Sequence, residues 1–332
     1  MTSTGPRPPV SWVVGANGLL GQHVRAALTR RGLVHLSPPI PWSAPDEAEA
    51  ALAGAAARLV AAADGGPWQV FWCAGAGVTG TSFDRFVTEN RMLRTALEAL
   101  AEANGPDRSG DDGNAVFVAS SAGGLYAGSP SAPFDEFSPV VPLSDYGRAK
   151  QEAEHIATDW AVQAPARVLV GRIANLYGPG QDLAKPQGLV SQLCAAYLDR
   201  RPTQIWVSLD TLRDYLFAPD AGEMVVDAMT RLRHGPLPEG VADGGVVTKI
   251  FATQRAITIG AVLAELRRIF RRRPATVLGA SPTSSQQGQD LRLVSRVWPE
   301  LDRRTLTPFP AGVQATLADL QLRMQSTGRA RP

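Results

Sequence analysis

The sequence predicts the α/β class: a doubly wound parallel sheet with a smaller region interleaved towards the C-terminus. Three observations lead to this prediction. Short apolar runs alternate with helical stretches through the first half of the 332-residue chain, which is typical of parallel sheets. The first apolar run leads through a glycine-rich turn into the first helix. The alternation weakens after Arg172, where a second kind of structure is expected.

The elements of the first half follow one another in strand–helix order. The opening run VSWVV is a buried strand, and the segment after it carries Leu20, Val24 and Leu28 on one helical face. Strands are expected at 10–14, 33–36, 70–74, 115–120 and 167–172, and helices at 18–31, 46–63, 83–103 and 145–164.

The second half carries weaker signals. Residues 175–187 are rich in Gly, Pro and Asn, which predicts a loop. Helices are expected at 189–199, 220–233, 259–272 and 316–324, and a strand at 246–252. These assignments predict a first unit at 9–173 and 213–250, a smaller region at 174–212 and 251–325, and disorder at 1–8 and 326–332.

The composition excludes several classes of protein. Hydrophobic residues make up 44% of the chain, which is typical of a globular protein. The formal net charge of +2 is too small to indicate a nucleic-acid-binding protein. No apolar run is long enough to span a membrane, and the N-terminus lacks the apolar segment of a secretory signal, so we expect a cytoplasmic protein. Two cysteines and four scattered histidines predict neither a disulfide framework nor a metal site.

The first motif is the turn GANGLLG, with glycines at Gly15, Gly18 and Gly21. It follows a strand and opens a helix. Glycine permits the tight turn and lets the backbone approach a pyrophosphate, while the helix N-terminus presents unpaired N–H groups to its charge. The turn therefore predicts a dinucleotide site, and a turn that merely packs helix on strand is the alternative.

The second motif is YGRAK, which places Tyr146 and Lys150 one turn apart on the face of a helix. A nearby ammonium favours the phenolate of a tyrosine, which can then exchange a proton with a substrate hydroxyl. Only three of the 33 basic residues are lysines (Lys150, Lys185 and Lys249), so a lysine at this position is informative. The alternative is a surface helical pair.

The third motif is ASSAGGLY, directly after the strand predicted at 115–120. In a parallel sheet the carboxyl ends of the strands face the ligand crevice. A serine there can hydrogen-bond the substrate oxygen to which Tyr146 transfers a proton. A serine-rich turn without chemistry is the alternative.

Together these motifs resemble the extended short-chain dehydrogenase/reductase family, whose members are mostly nucleotide-sugar epimerases, dehydratases and ketoreductases. Further segments carry the resemblance: VFWCAG at 70–75, RIANLYGPG at 172–180, and Arg213-Asp214-Tyr215 followed by Asp220. The family implies a Rossmann sheet that binds the dinucleotide in the first unit and a nucleotide-sugar in the smaller region. It also implies a homodimer built from the helices at 83–103 and 145–164.

The resemblance assigns roles to named residues. The catalytic residues are Ser121, Tyr146 and Lys150, with Ser120 as the alternative serine because the loop after Ser121 carries an extra glycine. The cofactor-binding residues are Gly15, Asn17, Gly18, Leu19, Gly21, Ala74, Gly75, Asn90, Tyr146, Lys150 and Ile173. The substrate-binding residues are Ser121, Ala122, Gly123, Asn175, Gln192 and Arg213.

Departures from the family pattern narrow the chemistry. Dehydratases place Asp-Glu where this chain has Ala122-Gly123, which disfavours elimination. The second strand is followed by Ser37-Pro38-Pro39 and lacks the acidic residue that binds the ribose of NAD, and no arginine follows it to bind the 2′-phosphate of NADP. These departures leave the cofactor open between NAD, which we expect, and NADP as the alternative. We expect a nucleotide-sugar epimerase because the segments Arg213-Asp214-Tyr215 and Tyr177-Gly178-Pro179-Gly180 resemble those of epimerases. An NADPH-dependent keto-sugar reductase and a catalytically idle dinucleotide sensor are the alternatives.

Overall fold

The computed structural model describes residues 7–75, 77, 81–105, 113–164, 166–185, 187–239, 245–271, 276–279 and 288–326. The predicted disorder at 1–8 and 326–332 lies almost wholly outside these residues. None of the described helices combines the length and the apolarity that crossing a membrane requires.

A parallel sheet forms the centre of the molecule, as predicted. Among the described residues it has six strands, all paired in parallel with their neighbours. In spatial order they are β10 (Val246–Phe251), β5 (Arg167–Ile173), β4 (Ala115–Ser121), β3 (Trp68–Trp72), β1 (Val10–Val14) and β2 (His35–Leu36).

Helices cover both faces of this sheet, because alternate residues of each strand point to opposite sides. One apolar core packs α1 (Leu19–Arg30) and α7 (Ala218–His234) against one face. A second packs α2 (Pro45–Ala63), α3 (Phe83–Asn104) and α5 (Asp145–Gln163) against the other. The doubly wound architecture therefore follows the predicted alternation.

The sheet ends at β2 because the next segment forms no further strand. Residues 37–44 lead directly into α2 and contain Pro38, Pro39 and Pro41, each of which lacks the N–H that a strand ladder needs. The order in which the chain adds strands reverses between β1 and β3, which lie side by side in parallel. Such a switch point opens a crevice at the carboxyl ends of the strands.

Short elements build the smaller region around a third apolar core. The described residues of this region form three small sheets. In the first, β6 (Asn175–Tyr177) pairs with β9 (Tyr215–Phe217), and in the second, β7 (Thr203–Ile205) pairs with β12 (Thr276–Leu278). In the third, β8 (Leu212–Arg213) lies between β11 (Ile257–Thr258) and β13 (Asp290–Leu291). The helices are α6 (Leu189–Leu198), α8 (Ile259–Phe270), α9 (Pro299–Asp302) and α10 (Phe309–Ser326), and α4 (Ala122–Leu125) follows β4.

Two predictions for this half are wrong in detail. Residues 175–187 are not all loop, since 175–177 form β6. The last helix is not confined to 316–324 but begins at Phe309, with Pro310 in its first turn, where a missing N–H is tolerated. The division into 9–173 with 213–250 and 174–212 with 251–325 stays a prediction.

Candidate active site

Two adjoining cavities open at the carboxyl ends of the central strands. The smaller cavity, about 470 Å³, runs from the glycine turn to the segment after β2. The larger cavity, about 810 Å³, lies between the ends of β4 and β5 and the smaller region. The two cavities have several lining residues in common, including Gly18, Gly75 and Lys150.

The glycine turn has no room for a side chain at Gly15 or at Gly21. Gly15 has φ +76°, and a Cβ there would lie 2.7 Å from the Cα of Ala74. A Cβ on Gly21 would lie 2.2 Å from the carbonyl oxygen of Gly15, so the helix packs directly on the turn. Gly18 precedes α1, whose first turn carries no acidic residue. This bare, positively polarised helix end suits a pyrophosphate, so the residues fit a dinucleotide.

The far end of the smaller cavity is apolar and aromatic. Ser37, Pro38 and Trp42 line it, and the Trp42 ring meets Trp72 edge to face with centroids 6.4 Å apart. Arg30 and Arg31, the basic residues upstream of β2, both form ion pairs with Glu223 of α7. Neither arginine lines the cavity.

Tyr146 and Lys150 lie on the first turns of α5 and line the larger cavity. The hydroxyl of Ser144 caps this helix by accepting a hydrogen bond from the N–H of Gly147 at 3.1 Å. Lys150 Nζ donates to the carbonyl oxygen of Ala119 at 3.1 Å, which ties the lysine to β4. Asn90 donates to the carbonyl of Ala149 at 3.1 Å and so links α3 to the same stretch of α5.

The loop after β4 approaches Tyr146 through two glycines. A Cβ on Gly124 would lie 3.0 Å from Cε1 of Tyr146, and one on Gly147 would lie 2.2 Å from the carbonyl oxygen of Gly124. The additional glycine therefore forms part of the short helix α4, which rests against the start of α5. Ser121 caps α4, and its hydroxyl accepts from the N–H of Gly124 at 3.1 Å.

The substrate residues expected from the resemblance divide into two groups. Gly123, Asn175 and Arg213 line the larger cavity together with Ser121. Arg213 is 7% exposed and donates to the carbonyl of Leu212 at 2.8 Å, and burial lowers the pKa of its guanidinium.

The other two lie outside the cavity lining. Ala122 is fully buried in the core beneath the sheet. Gln192 Nε2 donates to the carbonyl oxygens of Leu183 and Lys185 at 3.3 and 3.1 Å, so its side chain holds a loop. The structure therefore places neither Ala122 nor Gln192 in the lining of the larger cavity, and their predicted contact with a substrate stays a prediction.

The cofactor residues also fall into two groups. Most line one or both cavities: Gly15, Asn17, Gly18, Leu19, Ala74, Gly75, Asn90, Tyr146, Lys150 and Ile173. Gly21 lies behind the turn and acts through packing.

Several lining residues of the larger cavity could not be predicted from the sequence. Gln181 is 5% exposed and its Oε1 has no hydrogen-bond partner among the described residues. Trp206 is 43% exposed at the end of β7, and Tyr215 and Leu291 come from β9 and β13. Tyr215 and Leu291 belong to strands of three and two residues, which are too short to show a periodic pattern, and Gln181 and Trp206 lie outside the strands.

The described lining of the larger cavity contains few acidic side chains. Among its described lining residues Asp182 is the single carboxylate, and no histidine is present. Asp182 Oδ1 accepts from the N–H of Ala184 at 3.0 Å within its own loop. The described part of the chain also holds no group of His, Cys, Asp and Glu that could bind a metal ion. Three tyrosines line this cavity among the described residues: Tyr146, Tyr177 and Tyr215.

Comparisons with known proteins identify a family and several similar proteins. The family model described as "NAD dependent epimerase/dehydratase family" matches residues 12–242. A UDP-glucose 4-epimerase of Mycolicibacterium smegmatis is 34% identical over 116 residues, 35% of this chain and 36% of that protein. A probable dTDP-glucose 4,6-dehydratase of Sinorhizobium fredii is 31% identical over 87 residues, 26% of this chain and 24% of that protein. The chain thus matches about a quarter to a third of the length of these relatives.

Solved structures share the fold over nearly the whole chain. MoeE5, solved in complex with UDP-glucose and NAD, superposes with a TM-score of 0.73 at 23% identity, covering 95% of this chain and 99% of that one. The UDP-glucose 4-epimerase of Thermus thermophilus, solved with NAD, superposes with a TM-score of 0.74 at 18% identity, covering 94% and 99%. At these identities the likeness establishes the fold.

Proposed function

The chain belongs to the NAD-dependent epimerase/dehydratase family, and from this premise we propose that it binds NAD and inverts one carbinol centre of a nucleotide-sugar. The observation that carries the proposal is the larger cavity, which combines Tyr146, Lys150 and Ser121 with Arg213 but contains a single carboxylate among its described residues. Elimination of water needs a second acid–base pair near the sugar, which these residues do not supply.

The protein's own residues have these proposed roles. Tyr146 removes the proton of the sugar hydroxyl and returns it, Ser121 hydrogen-bonds the same oxygen, and Lys150 supplies a positive charge one helical turn from Tyr146. A nicotinamide bound in the smaller cavity would supply reversible hydride transfer at the sugar carbon. For the centre to invert, the keto-sugar must present its opposite face before the hydride is returned. Arg213 binds the diphosphate, for which a guanidinium is well suited.

The two cavities divide the ligands in this proposal. The smaller cavity holds the dinucleotide, with its pyrophosphate at the N-terminus of α1. The larger cavity holds the nucleotide-sugar, with Trp206 as an exposed aromatic surface for the base. NAD is favoured over NADP because Arg30 and Arg31 are already paired with Glu223 and lie outside the cavity.

Mass spectrometry and proton NMR test the proposal together. We expect NAD to be released when the purified protein is denatured. We also expect a UDP- or dTDP-linked sugar in D₂O to yield its epimer without carbon-bound deuterium and without net change in NADH absorbance. Loss of water would indicate a dehydratase. Stoichiometric oxidation of NADPH by a keto-sugar would indicate the reductase alternative, and binding of neither dinucleotide would overturn both.

The expected assembly is a homodimer formed through α3 and α5. Light scattering on the eluate of a size-exclusion column measures this directly. A monomer at micromolar concentration would contradict the expected homodimer but would not bear on the proposed epimerase reaction.

A further inference from the structure

Lys185 occupies a position that the proposed chemistry does not use. It lies in the loop between β6 and α6, and it lines both the smaller and the larger cavity. The other described residues shared by the two linings belong to the glycine turn, the segment after β3, β4 and α5. Among the described residues, Lys185 is thus the one side chain from the smaller region that reaches both cavities.

The ammonium of Lys185 differs from those of the other two lysines. Lys150 donates to the carbonyl of Ala119, and Lys249 is fully buried and donates to Ser295, Val297 and Asp302. Within the described parts of the chain, Lys185 Nζ has neither a hydrogen bond nor an ion pair. A half-buried cation without a protein partner is suited to an anionic ligand.

The backbone around Lys185 is held even though its side chain is free. Gln192 Nε2 donates to the carbonyl of Lys185 at 3.1 Å, and the N–H of Gln187 donates to the same oxygen at 2.8 Å. Nearer the start of the loop, the N–H of Gly180 donates to Asp319 of α10 at 3.0 Å. The loop therefore presents the ammonium from a fixed base.

We propose that Lys185 binds phosphate oxygens of both the dinucleotide and the nucleotide-sugar, and that it thereby couples the binding of the two ligands. The inference rests on the proposed function, which places one diphosphate in each cavity. Two diphosphates in adjoining cavities repel each other, and an ammonium between them offsets that repulsion. The first ligand to bind also restricts the lysine side chain, so the second ligand loses less conformational entropy. The coupling must be equal in both directions.

Titration calorimetry with NAD and with UDP, and with dTDP in parallel, tests this coupling on protein freed of its dinucleotide. For the wild type we expect saturating nucleoside diphosphate to tighten NAD binding. The variant K185M keeps the aliphatic stem and removes the charge, and we expect it to weaken both ligands on the order of tenfold each and to lose the tightening. K185R retains most of both affinities. R201M, which removes an exposed cation paired with Asp199 at the end of α6, serves as the matched control and behaves as the wild type.

A second variant tests the placement of the loop without altering its charge. Q192L removes the donor to the carbonyls of Leu183 and Lys185, and we expect it to weaken both ligands in the same direction as K185M. If K185M binds both ligands as the wild type does, or weakens only one of them, the inference is overturned while the proposed function stands. If the wild type itself binds neither NAD nor a nucleoside diphosphate, the proposed function fails first.

Discussion

The hydroxyl of Ser120 donates a 2.6 Å hydrogen bond to Oε1 of Glu154, two turns beyond Tyr146 on the same helix. Glu154 also accepts from Arg172 at 2.7 Å, and Arg172 donates to the hydroxyl of Tyr126 at 2.7 Å. This buried network joins the ends of β4 and β5 to α5 directly below the proposed catalytic residues. It also distinguishes the two candidate serines, which both line the larger cavity: the Ser120 hydroxyl donates to Glu154, whereas the Ser121 hydroxyl accepts from the N–H of Gly124.

Replacing the two serines one at a time should give opposite results. S121A should lower kcat by about 10²-fold or more while NAD still binds, since a hydrogen bond to the reacting oxygen is lost. S120A should retain most of the turnover but lose about 1–3 kcal/mol of unfolding free energy, because a buried charge-assisted hydrogen bond is removed. Steady-state kinetics and urea unfolding measure the two effects. Full activity in S121A with none in S120A would reverse the assignment.

Removing the Tyr146 hydroxyl separates an enzyme from a dinucleotide sensor. Y146F should lower kcat by about 10²–10⁴-fold, because the proposed proton donor and acceptor is gone, while the affinity for NAD changes little. Y177F is a matched control, since Tyr177 also lines the larger cavity and its hydroxyl makes only a 3.4 Å hydrogen bond to Phe309. Equal turnover in Y146F and the wild type would contradict a catalytic role.

Breaking the buried pair of Glu154 and Arg172 should cost more than either serine. E154A leaves Arg172, which is 8% exposed, with an uncompensated charge, and about 3–5 kcal/mol of unfolding free energy should be lost. The double variant E154L/R172M removes both charges and should recover part of that loss. Urea unfolding of the two variants checks the difference. A double variant less stable than E154A would mean that the pair does not act through its charge.

Two glycines with similar backbones allow a matched test of the turn. Gly15 and Gly32 have φ of +76° and +65°, but a Cβ on Gly32 would meet no atom within 4 Å. G32A should therefore cost only about 1 kcal/mol of backbone strain. G15A adds a clash with the backbone of Ala74 and should abolish NAD binding. Calorimetry on both variants measures this, and NAD binding by G15A at wild-type affinity would exclude a close approach there.

The sheet and its helices could be predicted from the sequence because each strand is a continuous apolar run. Trp12, Phe71 and Val118 are buried on a sheet that is covered on both faces, and such strands need no alternation to be recognised. The motif residues could be predicted for a related reason: parallel strands bring Gly15, Ser121 and the start of α5 to the same edge.

The smaller region could not be predicted to the same depth. Arg213 and Leu291 lie on paired strands of two residues, β8 and β13, whose paired residues are 78 positions apart in the chain. Pairing over that distance depends on tertiary packing rather than on local preference. Gln192 illustrates the limit, since its residue type suits a substrate ligand as well as it suits the loop contacts that the structure gives it.

His23 is expected to make the unfolding free energy of the protein change with pH in the mildly acidic range. It lies where α1 meets α7, so closely that a Cβ on Gly222 would lie 2.6 Å from its backbone, and its Nε2 lies 3.0 Å from the carbonyl oxygen of Pro179. Burial lowers the pKa of His23 below 6.5, an effect that the Pro179 carbonyl partly offsets. The unfolded chain therefore binds a proton more readily than the folded protein. The stabilisation is present above pH 6.5 and is lost as the pH falls towards the folded pKa, at no more than about 1.4 kcal/mol per pH unit.

The variant H23Q keeps a donor for the Pro179 carbonyl but binds no proton. Urea unfolding of H23Q and the wild type at pH 7.5 and 5.5 isolates the contribution of this histidine, since all other titrating groups are common to both proteins. We expect the wild type to lose more stability than H23Q over this interval. The control H35Q removes a more exposed histidine, whose pKa is also lowered by burial. We expect H35Q to reduce the pH dependence of the unfolding free energy less than H23Q does. Identical losses in H23Q and the wild type would mean that His23 keeps its proton equilibrium unchanged on folding.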